Sequence, residues 1–221
     1  MPGARNEASV GQPISRTNIR QTRESGADVE VLGRLMHAAF PLTFERLFGA
    51  TGPLGERATG AALRAFGAMP NVWFLIEDGA PVGFVFMRWG NRATPLNAIS
   101  AFRAMAGVVG LARTLSIALR VPPLPPRWLR PREAYISAMG VQADRRGRGH
   151  GGKLLEYAIA EASRRGYRRL SLRVDGENAP AVRFYARHGF RHATSPLDAI
   201  FHIIRREFGD VFMTRRLDNR S

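Results

Sequence analysis

Glycine crowds into one short stretch of this chain, Arg146-Gly147-Arg148-Gly149-His150-Gly151-Gly152. The stretch follows an apolar run, Tyr135 to Val141, and precedes a helical pattern from Lys153 to Arg165. Glycine adopts the positive φ that a tight turn needs, and it leaves no side chain between main chain and ligand. A strand passing through such a turn into a helix aims several N–H groups at one point, with the positive end of the helix dipole behind them. That arrangement is a phosphate site, and a phosphorylated ligand is the first functional expectation.

Two phosphate loops fail on spacing or ligand. Gly147 to Lys153 fits G-x-x-x-x-G-K, but Leu154 stands where a nucleotide triphosphatase places the Ser or Thr that holds Mg²⁺. The dinucleotide fingerprint G-x-G-x-x-G fails because Gly147, Gly149, Gly151 and Gly152 lie too close together. The run from Met139-Gly140-Val141 to Gly151 instead resembles the signature of the GNAT family, the GCN5-related N-acetyltransferases. Arg146, Gly149 and Gly151 match its core pattern, Gln/Arg-x-x-Gly-x-Gly/Ala. Downstream, Asn178-Ala179-Pro180-Ala181-Val182-Arg183-Phe184-Tyr185-Ala186-Arg187-His188-Gly189-Phe190 is similar to the family's later motif, and a strand pattern at 169–174 separates the two as the family order requires.

The resemblance implies an α/β fold: a mixed, mostly antiparallel sheet of about seven strands, splayed between 135–141 and 169–174, with helices on both faces. It implies acetyl-CoA, or another acyl-CoA, as co-substrate and no metal. The acceptor would be a small-molecule amine or a protein or peptide amine. Backbone amides of Arg146, Gly147, Arg148, Gly149, His150, Gly151 and Gly152 would hold the diphosphate, with Met139, Gly140 and Val141 along the pantetheine arm. Tyr185 matches the tyrosine that protonates the departing sulfur, and Asn178 matches the asparagine opening the same helix, where it is equally suited to be a helix cap. The general base is not given by the motifs. Positions where relatives carry a glutamate hold Arg173 and Tyr135; Glu133, two residues before Tyr135 and on the same strand face, is the first candidate, with Glu77 and Asp175 behind it.

At 221 residues the chain suits one domain, here 18–221 after a disordered tail at 1–17. The absence of cysteine removes disulfide and thiolate-metal chemistry and fits a cytoplasmic protein. His188 and His192 have helical ligand spacing, but Gly189 intervenes and no paired carboxylate accompanies them. Net charge is +15, nearly all of it arginine, with Lys153 the one lysine. The arginines run from Arg5 to Arg220 without a basic arm, which argues against nucleic acid as a partner.

Patterning predicts a strand over 18–24, a helix from an Asp28 N-cap to Phe40, and a helical region over 43–69. A hairpin follows, with 72–77 and 82–89 around Asp78-Gly79-Ala80-Pro81. The segment 90–131 departs from the compact family pattern. Within it, 96–119 is mostly apolar, but Arg103 and Arg113 argue against a spanning helix. A cap over the site, a homodimer contact and membrane-surface contact all stay open for it. Prolines at 122–126 read as a stiff spacer, 195–209 as a second insertion, and 210–217 as the last strand. The sequence thus points to an N-acetyltransferase; the alternative is a non-catalytic GNAT-like module that senses CoA or docks on nucleic acid.

Overall fold

Seven strands assemble one sheet in the order β1-β2-β3-β4-β5-β7-β6. The computed structural model describes residues 16–23, 25–41, 53–65, 69–90, 98–120, 130–193 and 210–217. Expectations for 1–15, 42–52, the 122–126 prolines and 195–209 lie outside the described residues. Strands β1 (Thr17–Gln21), β2 (Val72–Glu77), β3 (Ala80–Trp89) and β4 (Glu133–Val141) pair antiparallel in turn. Strand β5 (Arg169–Asp175) lies parallel to β4, and β7 (Asp210–Arg216) pairs antiparallel with both β5 and β6 (Arg191–His192).

Helix α1 (Gly26–Ala39) is capped by Ser25, whose Oγ accepts from the Asp28 N–H at 3.2 Å. The expected cap, Asp28, sits inside the first turn instead. Arg20 grips its carboxylate bidentately at 2.8 and 2.9 Å, and the Arg23 N–H donates to it at 2.7 Å. These bonds, that to Arg20 foremost, hold the Asp28 carboxyl below its ordinary range. Helix α2 (Pro53–Ala65) crosses α1 where both are thin: a Cβ on Gly33 would stand 2.3 Å from the Glu56 carbonyl oxygen. The insertion forms two helices, α3 (Ala98–Val109) and α4 (Leu111–Arg120), because Gly110 turns to φ +84° between them. Ile117 of α4 packs with Ala58 of α2, so the insertion sits on the α1–α2 layer.

The hairpin turn is tighter than expected: Asp78 and Gly79 alone span it, both at positive φ (49° and 83°), so β3 starts at Ala80. Helix α5 (His150–Arg164) carries Leu154, Leu155, Ala158 and Ala162 into the larger core with Ala134, Ile136 and Leu170 of the sheet. Helix α6 (Ala179–Arg187) adds Tyr185 to that core. Phe74 and Phe84 face the other way, onto Leu32 and Leu35 of α1. The sheet is therefore covered on both faces, and its interruptions define the site.

Candidate active site

Strand β4 keeps β3 along its whole length but keeps β5 only from Glu133 to Ile136, opposite Arg169 to Leu172. Beyond that point β5 continues with β7 to Asp175. The two parallel strands therefore part, leaving the edge of β4 from Ser137 to Val141 facing a cleft. The parting coincides with a bulge: the β3–β4 register jumps between Phe86 and Met87, and Ser137 is the extra residue. A one-residue insertion reverses side-chain parity. Accordingly Ala134 and Ile136 point to the α5 face, and so do Met139 and Val141. Gly140 points the other way, where a Cβ would come within 2.4 Å of the Ala39 Cβ; α1 approaches the cleft that closely because no side chain is there. The Ser137 Oγ is buried without a hydrogen-bond partner.

After β4 a single 3₁₀ turn (Ala143–Arg145) leads into the glycines. Gly147 and Gly149 adopt φ of +78° and +79°, and Gly149 is the N-cap of α5 with no side chain satisfying the helix's first N–H groups. A Cβ on Gly147 or Gly149 would meet nothing within 4 Å, so the turn opens onto free space. Helix α5 begins at His150, three residues before the expected Lys153. On the next turn, Cβ atoms on Gly151 and Gly152 would touch the Phe184 ring and His188 Nε2 at 3.6 and 3.8 Å, which brings α6 against the head of α5. Arg146 Nε donates to the Val141 carbonyl at 3.1 Å and Arg148 to the Asp144 carbonyl at 3.4 Å, so both guanidinium groups stay at the turn, exposed.

A buried carboxylate clamps the turn from beneath. Glu77, ending β2, is 5 % exposed; its Oε2 accepts from Arg145 at 2.9 Å and its Oε1 lies 3.0 Å from Nε2 of His150, itself 3 % exposed. The His150 contact is close in distance but misses hydrogen-bond geometry. One carboxylate thus reaches the last residue of the 3₁₀ turn that leads to the glycines and the first residue of α5.

Tyr185 of α6 is buried, 9 % exposed, with its ring edge-on to Phe184 and Phe190. Burial, with Tyr135 nearby as a smaller cause, pushes its hydroxyl up to about 12. The glycine turn at the head of α5 thus follows directly on the opened edge of β4, and Tyr185 belongs to the core beneath that helix.

Residues 42–190 match the model of the acetyltransferase (GNAT) family. The chain belongs to the GNAT family. No curated protein matches it in sequence. Among solved structures it is similar to an acetyltransferase at 17% identity and TM-score 0.62, covering 91% of this chain and 100% of that one. It is also similar to the ribosomal-protein-S18-alanine N-acetyltransferase of Escherichia coli, at 16% identity and TM-score 0.53 over 93% and 97% of the two chains. A third is the PaiA N-acetyltransferase of Thermoplasma acidophilum, solved with coenzyme A, at 13% identity and TM-score 0.52 over 91% and 99%. These likenesses carry the GNAT fold.

The GNAT motifs are brought together unevenly. Met139, Gly140 and Val141 lie on the stretch of β4 that has left β5, the residues from Arg146 to Gly152 form the turn and the head of α5, and Tyr185 is buried in the core that α5 and α6 share. Asn178 caps α6, its Oδ1 accepting from the Ala181 N–H at 3.1 Å. Glu133 is set apart. It starts β4 where β4 and β5 are still paired, about 26 Å along the strand from Val141 at 3.3 Å per residue. It is 2 % exposed, accepting from Ser171 Oγ at 2.5 Å and the Arg130 N–H at 2.8 Å. Asp175, by contrast, ends β5 at the open side and is exposed, its Oδ1 accepting from the Glu177 N–H at 2.9 Å. No group of three or more metal-ligating side chains occurs among the described residues. Sequence reasoning missed the Glu77–Arg145–His150 clamp, whose one hint is a histidine inside a glycine turn, and missed Ser137, which sits unmarked in an apolar run.

Proposed function

We propose that this chain transfers an acetyl group, or another acyl group, from coenzyme A to a primary amine by direct attack, within one domain spanning 18–221. The supporting observation is the junction of the glycine turn, open above Gly147 and Gly149, with the parted edge of β4. A main-chain cradle without side chains suits a diphosphate, and an unpaired strand edge suits an extended amide-bearing arm. Main-chain amides from Arg146 to Gly152 hold the diphosphate, with Arg146 and Arg148 adding positive charge at its rim. Met139 to Val141 supply the edge, and an N–H there meets the thioester oxygen.

The amine nitrogen bonds to the thioester carbon, the C–S bond breaks, and the sulfur takes the Tyr185 proton; the phenol recovers one from the attacking nitrogen through solvent. With its pKa near 12, Tyr185 is a neutral donor at every working pH. The same dry surroundings raise the thiolate's own proton affinity, which narrows the mismatch. Glu133 is given no part in proton transfer, being engaged at the far end of β4. Glu77 is committed to Arg145 and His150. Removal of the amine proton falls to water at the open rim, with Asp175 the carboxylate nearest that end of β5.

The absence of a described carboxylate at the middle of the cleft also favours a second reading, a coenzyme-binding module without turnover. Thiol release from acetyl-CoA across a panel of amines and peptides separates the two. Acylated product with free CoA supports the transferase; CoA binding without product from any acceptor, and no effect of Tyr185→Phe, supports the module.

A further inference from the structure

Arginines scattered along the sequence converge in space. From Asp78 to Glu133 the chain carries eight arginines and no intervening acidic residue. At the end of the sheet away from the glycine turn, Arg130 and Arg132 precede β4, Arg168 precedes β5, Arg216 ends β7, and Arg164 and Arg165 follow one another at the end of α5. They are neighbours by register: Arg169 lies between Glu133 and Arg216, and the Arg168 N–H donates to the Arg132 carbonyl at 2.9 Å. All six are exposed. The carboxylates beside them, Glu133 and Glu161, are 2 % and 7 % exposed and already engaged, Glu161 by Arg164 and Arg165. Arg130, Arg132, Arg168 and Arg216 therefore have no acidic partner among the described residues.

A cleft of about 520 Å³ opens among these arginines, walled by Arg130, Arg132, Arg165, Pro131, Trp89 and Tyr167, with no acidic residue in its lining. The Arg165 guanidinium lies 4.1 Å from the Trp89 ring centroid, and Trp89 and Tyr167 lie 5.5 Å apart at 34°, which fixes the aromatic wall. Helix α5, about 22 Å long at 1.5 Å per residue, separates this pole from the glycine turn, so it is a second site.

We infer that the pole binds single-stranded nucleic acid, phosphates along the exposed arginines and a base in the cleft against Trp89 and Tyr167. Basic charge interleaved with aromatic rings is the pattern that holds unpaired bases, whereas a duplex offers no free base to the cleft. A lipid surface would also need exposed apolar side chains, and the large ones among the described residues, Leu54, Ile99, Leu111 and Leu115, lie on α2, α3 and α4. Scatter in the sequence argued against a nucleic-acid partner; folding removes that argument. The inference stands independently of acyl transfer.

The test is fluorescence anisotropy of a labelled 12-nucleotide oligouridylate across a salt series. It compares the wild type with an Arg130→Gln/Arg132→Gln/Arg168→Gln triple and a charge-matched control, Arg34→Gln/Arg57→Gln/Arg103→Gln. The expected result is about a tenfold loss for the pole triple, its log–log salt slope lowered by about 2 for three lost phosphate contacts, and less than a twofold loss for the control. The single Arg168→Gln variant, which carries least risk to folding, should show part of the same loss. CoA binding stays at the wild-type level in all variants. Equal losses in both triples, duplex RNA binding as well as single-stranded, or binding to vesicles of anionic phospholipid in preference to RNA would each overturn the inference.

Discussion

Glu77 joins the two ends of the turn through Gly147 and Gly149, and Glu77→Ala is the perturbation that tests whether the shape of the turn depends on it. The carboxylate is 5 % exposed and touches Arg145 at 2.9 Å and His150 at 3.0 Å. Removing one partner from a fully buried charge cluster costs about 3–5 kcal/mol. Arg145 keeps 37 % of its side-chain surface, so its share is screened by water and the figure is discounted. The working figure is about 2–3 kcal/mol, or roughly 4–12 °C in Tm for a chain of this size. Because the two partners flank the glycines, the loss should reach the ligand as well: CoA affinity, read by calorimetry, should weaken about tenfold as the N–H groups lose their common aim. Glu77→Gln, which retains an acceptor for Arg145 and a polar group for His150, should recover part of both losses. A Glu77→Ala protein that melts early yet binds CoA like the wild type would refute the link between clamp and turn, and one unchanged in both would refute the clamp.

Three further outcomes are expected. Tyr185→Phe should lower kcat by about a hundredfold or more while leaving CoA affinity intact, measured by thiol release and calorimetry. The same variant reports on alkaline stability. The folded-state pKa of Tyr185, near 12, lies above the ordinary 10, so the folded state binds the proton more tightly; its contribution is full below pH 10 and lost as pH rises from 10 to 12. Two units correspond to at most about 2.7 kcal/mol, so the urea midpoint of the wild type should fall relative to Tyr185→Phe between pH 9 and 11.5, and a constant gap would contradict the burial. Gly140→Ala should destabilise the fold by about 1–3 kcal/mol, because its Cβ would collide with Ala39 at 2.4 Å, and thermal melting reads this directly.

The turn from Arg146 to Gly152 was legible in sequence because positive φ at Gly147 and Gly149 demands glycine, a requirement of the backbone that no partner can override. The positions of β2, β3, β4 and β5 along the chain followed from apolar runs with clear breaks. The start of α5 was not legible, since His150, Gly151 and Gly152 are poor helix formers held helical by contacts with α6 and Glu77. Nor was the bulge at Ser137: nothing in Ile136-Ser137-Ala138 marks an extra residue, and only the register against Phe86 and Met87 reveals it. Glu133 illustrates a third limit. Alternation gave its strand face relative to Tyr135, but not that β4 enters the sheet at the closed end, where Ser171 and Arg130 take the carboxylate. Asp28 failed as a cap for a similar reason, its partner Arg20 lying on a neighbouring strand. Contacts with other elements and with flanking loops, which alternation and propensity do not give, decided these cases.

Calorimetric titration of coenzyme A into the wild type and into Gly149→Ala most directly addresses whether this main-chain turn holds a diphosphate. The Gly149 φ of +79° costs alanine about 1–2 kcal/mol, yet the added methyl meets no protein atom, so the fold should survive while the cradle is obstructed. The expected result is one coenzyme per chain for the wild type and affinity at least tenfold weaker for a folded Gly149→Ala. Equal affinity in the two proteins, or no heat of binding in the wild type, would contradict the assignment of the turn.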